Sequence, residues 1–169
     1  MKRLFAAVIS LFIGMGSTYA QEVAGVKFGE SYDSAIKKLI NKFGDASGKT
    51  RDMILFDNII YAGVEFDHAS FHFQYSTDRS YLHMASFIVK PKSEKEVKNI
   101  MDNLKDKLSS KYETKEEDDV LFPGRKIYMA GQNPKNASRP LIILSDQSYG
   151  GLYELSLSYG PIEFITEEL

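Results

Sequence analysis

Two stretches of the chain repeat their apolar residues at helical spacing. In the first, Tyr32, Ala35, Ile36, Leu39, Ile40 and Phe43 recur every three or four residues, while Lys37, Lys38, Asn41 and Lys42 fill the other face. Ser31 stands at the N-cap position, Asp33 lies in the first turn, and Gly44 is placed to stop the helix. In the second, Val97, Ile100, Met101, Leu104, Leu108 and Tyr112 form one stripe, with Lys95, Lys98, Asp102, Lys105 and Asp106 on the solvent side. Ser93 and Glu96 make a capping box at its start, and Pro91 ends whatever precedes it. The stripe lasts under three heptads, too short for a coiled coil.

Most of the remaining apolar residues read as strands. Met53 to Phe56 and Ile59 to Phe66 are short runs punctuated by Asp57-Asn58 and Gly63. Ala69 to Tyr75 alternates, and Leu82 to Val89 follows across a polar turn over Ser76 to Tyr81, so the pair is expected to form an antiparallel hairpin. After the second helix, Lys115 to Asp119 reads as a charged connection, Gly131 to Pro140 as a polar loop, and Gly150-Gly151 as a turn. Lys126 to Ala130, Leu141 to Ser145 and Leu152 to Tyr159 read as three further strands. The expected class is α+β: an antiparallel sheet with two helices packed on one face. The order of helix, strands, helix, strands further suggests two similar halves, with Tyr61-Ala62-Gly63-Val64 echoed by Tyr149-Gly150-Gly151-Leu152.

The N-terminus carries its own pattern. Lys2 and Arg3 precede an apolar run from Leu4 to Met15, and Gly16 to Ala20 supplies small residues at the cleavage positions. Residues 1–20 therefore read as a signal peptide and 21–169 as one domain, which points to a periplasmic or secreted protein. The run is shorter than the roughly 20 apolar residues that a membrane span needs. The chain has no cysteine, which excludes a lipid anchor at a cleavage-site thiol, disulfides and thiolate chemistry. With 21 basic against 23 acidic residues there is no basic field to hold a phosphate backbone, so nucleic acid is not an expected partner. Asn136-Ala137-Ser138 matches a glycosylation sequon and marks an exposed loop.

The segment Val26-Lys27-Phe28-Gly29-Glu30-Ser31, followed by the first helix and Phe43-Gly44, resembles the opening of small envelope proteins of the BamE and β-lactamase-inhibitor-protein-like group. Tyr61-Ala62-Gly63-Val64-Glu65-Phe66 is similar to a Tyr-x-Gly-hydrophobic-x-Phe motif of small exported bacterial proteins of unknown function. The resemblance implies an α+β binding scaffold and supplies no catalytic residues.

No nucleophile elbow, P-loop, zinc-protease helix or dinucleotide fingerprint is present. The acidic run Glu113, Glu116, Glu117, Asp118 and Asp119 lacks calcium-loop spacing, and Glu30, Asp33 and Asp45 read as capping and turn residues. No cofactor or metal is expected. With Tyr75 opposite Leu82 and Phe73 opposite Met84, the hairpin turns Phe71, Phe73, Tyr75, Leu82, Met84 and Ile88 toward the helices. Its other face then holds His72, Gln74, Tyr81, His83, Ala85, Phe87 and Val89. His72 and His83 become diagonal neighbours there. Tyr81, His83 and Phe87, with His72 beside them, are the expected binding residues, an exposed patch that contacts a protein or peptide. The expected function is thus an exported, non-catalytic binding domain that uses an open sheet face. The alternatives are a secreted hydrolase or metal-dependent enzyme with a loop-built site, and a structural protein that homodimerises through the same patch.

Overall fold

The structure, a computed structural model, describes residues 22–76, 79–120, 122 and 124–164. The signal-peptide segment lies outside the described residues.

Two short strands, β1 (Glu22–Val23) and β2 (Val26–Lys27), make a tight antiparallel pair ahead of helix α1 (Tyr32–Phe43). Strands β3 (Gly48–Lys49), β4 (Met53–Tyr61), β5 (Val64–Ser76) and β6 (Arg79–Val89) follow, then helix α2 (Glu94–Ser109). Strands β7 (Thr114–Asp118), β8 (Lys126–Asn133), β9 (Asn136–Asp146) and β10 (Leu155–Tyr159) complete the chain. Among the described residues, β3 to β10 form one antiparallel eight-stranded sheet in the order β3-β4-β5-β6-β10-β9-β8-β7. The fold class is therefore α+β.

That order reads as two helix-plus-meander halves. Each runs from a sheet edge inward, and the two meet at β6 and β10, their last strands. The residue-level echo does not follow this symmetry. Tyr61 to Val64 turns β4 into β5, whereas Tyr149 to Leu152 sits between β9 and β10, which is the counterpart of the β5–β6 turn.

Both helices lie on one face. Phe43 of α1 packs its ring 5.5 Å from Phe56 and 6.2 Å from Phe71, and Tyr32 sits 4.9 Å from Phe73. On α2, the Lys105 ammonium lies over the Tyr128 ring of β8. Residues Phe56, Ala69, Phe87, Leu157, Leu144 and Tyr128 are cross-strand neighbours in one row of the sheet, so the two contacts fall on the same side. Leu39, Val97, Leu104 and Leu108 join this side's core.

The helix ends follow the capping pattern in part. Ser93 accepts the Glu96 N–H at 3.3 Å, and the Glu96 carboxylate accepts the Lys92 N–H at 2.7 Å. Ser31 makes no side-chain cap. Glu30 braces that end instead, accepting from the Lys27 N–H and the Ser34 hydroxyl and pairing with Lys38 at 2.7 Å. Gly44 ends α1 at φ 86, donating its N–H to Ile40.

Three local readings are corrected. Asp57-Asn58 does not break the chain: β4 runs through it, with Asn58 at φ 52, and the turn falls at Ala62-Gly63. Residues 115–118 belong to the edge strand β7. An edge strand pairs on one side only, and its charges face water and guard the open edge. Gly131 to Pro140 is the β8–β9 hairpin and not a loop. Asn133 pins it, donating to the Pro161 carbonyl at 2.8 Å and accepting the Lys135 N–H at 3.0 Å.

Candidate functional site

The side of the sheet opposite the helices is the candidate surface. Strand β10 shows how the sequence builds it. Leu155, Leu157 and Tyr159 are buried toward the helices, so Ser156 and Ser158 point the other way. Pairing carries this alternation across the sheet. Leu55, Ser70, Ser86, Ser158, Ile143 and Met129 form one cross-strand row, and His68, Ile88, Ser156, Ser145 and Ile127 form the next. Among the described residues, no helix or strand lies over these rows.

The central strands carry the short side chains. Ser86 Oγ lies 3.3 Å from Ser158 Oγ, and Ser158 Oγ lies 3.3 Å from Ser156 Oγ. Larger residues flank them, with Leu55 on one side and Ile143 and Met129 on the other. Ser156 is itself buried between its neighbours, and Ser70, Ser86 and Ser158 are half-buried, so the face is a low strip of recessed hydroxyls between aliphatic shoulders.

The expected binding residues divide. His72 and His83 are half-buried on this open side. His72 Nε2 lies 2.9 Å from Ser70 Oγ, and His72 pairs across the ladder with Met84. Burial pushes both imidazoles below the ordinary histidine value, and His72 lowers His83 further; Asp52 pulls His72 partly back. Phe87 is not on this face. It is fully buried under the helices, stacked on Tyr61 at 4.3 Å and tilted against Phe66 at 5.4 Å. Tyr81 points to the open side but is only 2% exposed, because Phe164 of the C-terminal segment covers it with ring centroids 5.1 Å apart.

A β-bulge causes the error. The turn end pairs Phe73 with Leu82, then the register shifts between His72 and Phe73, leaving His83 as the extra residue on β6. Beyond that residue the alternation changes parity. Ala85, Phe87 and Val89 turn inward, and Met84, Ser86 and Ile88 turn outward. The expected patch of Tyr81, His83, Phe87 and His72 therefore does not form as an exposed aromatic cluster. The serine rows were the residues missed. Their signal was the alternation Leu155-Ser156-Leu157-Ser158-Tyr159, carried across paired strands to Ser86 and Ser70.

Among the described residues, no three His, Cys, Asp or Glu converge to hold a metal ion. His68 Nδ1 pairs with Asp57 at 2.7 Å, and this contact lowers the Asp57 carboxyl below its ordinary range. The Ser70–His72 contact has nucleophile-and-base spacing, but Asp52 bonds to Thr50 Oγ1 at 2.7 Å and not to His72. Strand β5 is also paired on both sides, so its backbone N–H groups there are used in the ladder and not free to hold an oxyanion. The arrangement offers hydrogen bonding and apolar contact over a wide surface. Comparison of the chain with protein-family models, with curated proteins and with solved structures gives no match in any of the three.

Proposed function

We propose that this chain is an exported, non-catalytic domain that binds a protein partner through the bare face of its eight-stranded sheet. The observation that carries the reading is the one-sided cover: both helices pack on the same side, leaving rows of serine and aliphatic side chains without a described element over them. Eight strands at the usual spacing of about 4.8 Å span roughly 34 Å. That breadth suits the roughly 800 Å² that each partner buries in a stable protein complex, and it is too flat to enclose a small ligand. The mixed chemistry also fits, since recognition surfaces combine an apolar centre with hydrogen-bonding groups. Export rests on the Lys2-Arg3, Leu4 to Met15 and Gly16 to Ala20 pattern.

The test is quantitative capture from an envelope extract of the source cells. The wild-type domain from Gln21 is compared with a Ser86→Arg, Ser158→Arg variant and with Lys98→Glu on the solvent side of α2. The reading expects a species retained by the wild type and by Lys98→Glu and lost from the double variant. Equal retention by all three, or loss only with Lys98→Glu, overturns it. N-terminal sequencing of the protein from those cells is expected to begin at Gln21; an intact Met1 overturns the export step.

A further inference from the structure

The two rows at the middle of the bare face hold large and small side chains in a diagonal pattern. Over the four central strands, one row reads Ser70, Ser86, Ser158, Ile143. The next reads His68, Ile88, Ser156, Ser145. The tall aliphatic residue is therefore on β9 in the first row and on β6 in the second, and the recessed serines lie around both.

This pattern complements itself. The strand order is symmetric about the β6–β10 seam, so a two-fold axis in the plane of the face can run along the strands or across them. An axis along the strands exchanges β5 with β9 and β6 with β10. It sets Ile143 on Ser70 of a second copy and Ile88 on its Ser156. An axis across the strands exchanges the two rows instead, and sets Ile143 on Ser145 and Ile88 on Ser86. Under either operation each isoleucine meets a serine hollow, twice per dimer. Sheets packed face to face interdigitate side chains in this way, with their strands within about 30° of each other.

Area and charge agree with the pattern. Eight strands of about eight residues, at about 3.4 Å per residue and about 4.8 Å between strands, spread over roughly 900 Å². A stable dimer buries about 800 Å² on each partner. The charges at the ends of the two rows are matched within the chain. Asp57 bonds to His68 at the β4 edge, and Lys115 pairs with Glu117 at the β7 edge. The face thus presents no surplus charge that asks for an oppositely charged partner, and it is not repelled by its own copy.

We propose that the occupant of the bare face is a second copy of this chain, packed sheet on sheet about a two-fold axis, with Ile88 and Ile143 seated in the serine hollows of the other copy. The inference rests on the reading of that face as the binding surface and names its partner. A foreign protein would need a matching set of knobs and hollows, whereas a second copy carries one.

The test is the mass of the domain from Gln21 by sedimentation equilibrium at about 1 to 100 µM. Wild type and Lys98→Glu are expected at twice the chain mass. Ser86→Arg with Ser158→Arg should raise the dimer dissociation constant by about 100-fold or more, because the contact would bury unpaired guanidinium groups. A second measurement does not depend on that variant folding. The chain has no cysteine, so single cysteines introduced at chosen positions report without background. Ile143→Cys protein is mixed and oxidised in turn with Ser70→Cys, Ser145→Cys and Lys98→Cys protein bearing a different tag. A mixed disulfide dimer with Ser70→Cys or Ser145→Cys, and none with Lys98→Cys, supports the proposal. A wild type that stays monomeric throughout the concentration range overturns it, and so does a dimer that neither serine position crosslinks. A monomer that still captures another protein through Ser86 and Ser158 overturns the self-association alone and leaves the face as a binding surface. A monomer whose capture is indifferent to those serines overturns both.

Discussion

Phe87→Ala separates the two registers of the β5–β6 hairpin by their energies. In the structure the Phe87 ring has no exposed area and is enclosed by four other rings: Tyr61 at 4.3 Å, Phe66 at 5.4 Å, Phe71 at 5.8 Å and Tyr159 at 6.0 Å. Truncation removes the buried ring and leaves a cavity that the flanking β-strands are too well paired to close. A buried Phe→Ala change of this kind costs about 3–5 kcal/mol. For a domain of this size that lowers the melting temperature by roughly 10 °C. Had β6 continued without a bulge, Phe87 would face solvent and the same change would cost no more than about 0.5 kcal/mol. Urea unfolding followed by far-UV circular dichroism measures the difference at constant m. A loss under about 1 kcal/mol would refute the inward placement of Phe87 and with it the parity change at His83.

Other consequences follow from the same geometry. The folded imidazoles of His72 and His83 are held below the ordinary value of 6.5, so the unfolded chain takes up protons first. Their stabilising contribution is full above about pH 6.5 and is lost as pH falls from there toward the lowered folded values, before carboxylates such as Glu30 titrate. Urea midpoints should drop between pH 7.5 and pH 5.5, and by less in a His72→Gln, His83→Gln variant; an equal drop counts against the assignment. Gly160→Ala should destabilise strongly, because the new Cβ would lie 2.4 Å from the His83 carbonyl at a φ of 86. The backbone conformation alone contributes about 1–3 kcal/mol to that loss, which thermal unfolding would register. Ser93→Ala removes the α2 cap and should cost about 1 kcal/mol in the same assay, whereas Ser31→Ala should cost little, since Ser31 makes no side-chain cap.

The helices were legible because their period is local. Val97, Leu104 and Leu108 follow the spacing of the α2 stripe and are buried as that spacing requires. The α+β class followed from the same two periods. The halves were legible as an order of elements but not in sequence, since Tyr61 and Tyr149 occupy turns that are not equivalent. Register was not legible. Pairing across β5 and β6 depends on where one extra residue sits, and His83 has nothing in its side chain that marks a bulge. One unmarked residue moved Phe87 from the expected surface to the core, and nothing local signalled that the C-terminal Phe164 would close over Tyr81. The charged strand β7 was hidden for a related reason: an edge strand with both faces wet shows no apolar alternation.

The bare sheet face is tested most directly by site-specific photo-crosslinking in the envelope of the source cells. A photoreactive residue is placed at Ile143 on the open side, or at Lys98 on the solvent side of α2, in otherwise unchanged protein. The account predicts a discrete adduct from position 143 and none from position 98. An adduct from position 98 alone, or none from position 143 in folded protein, would contradict it.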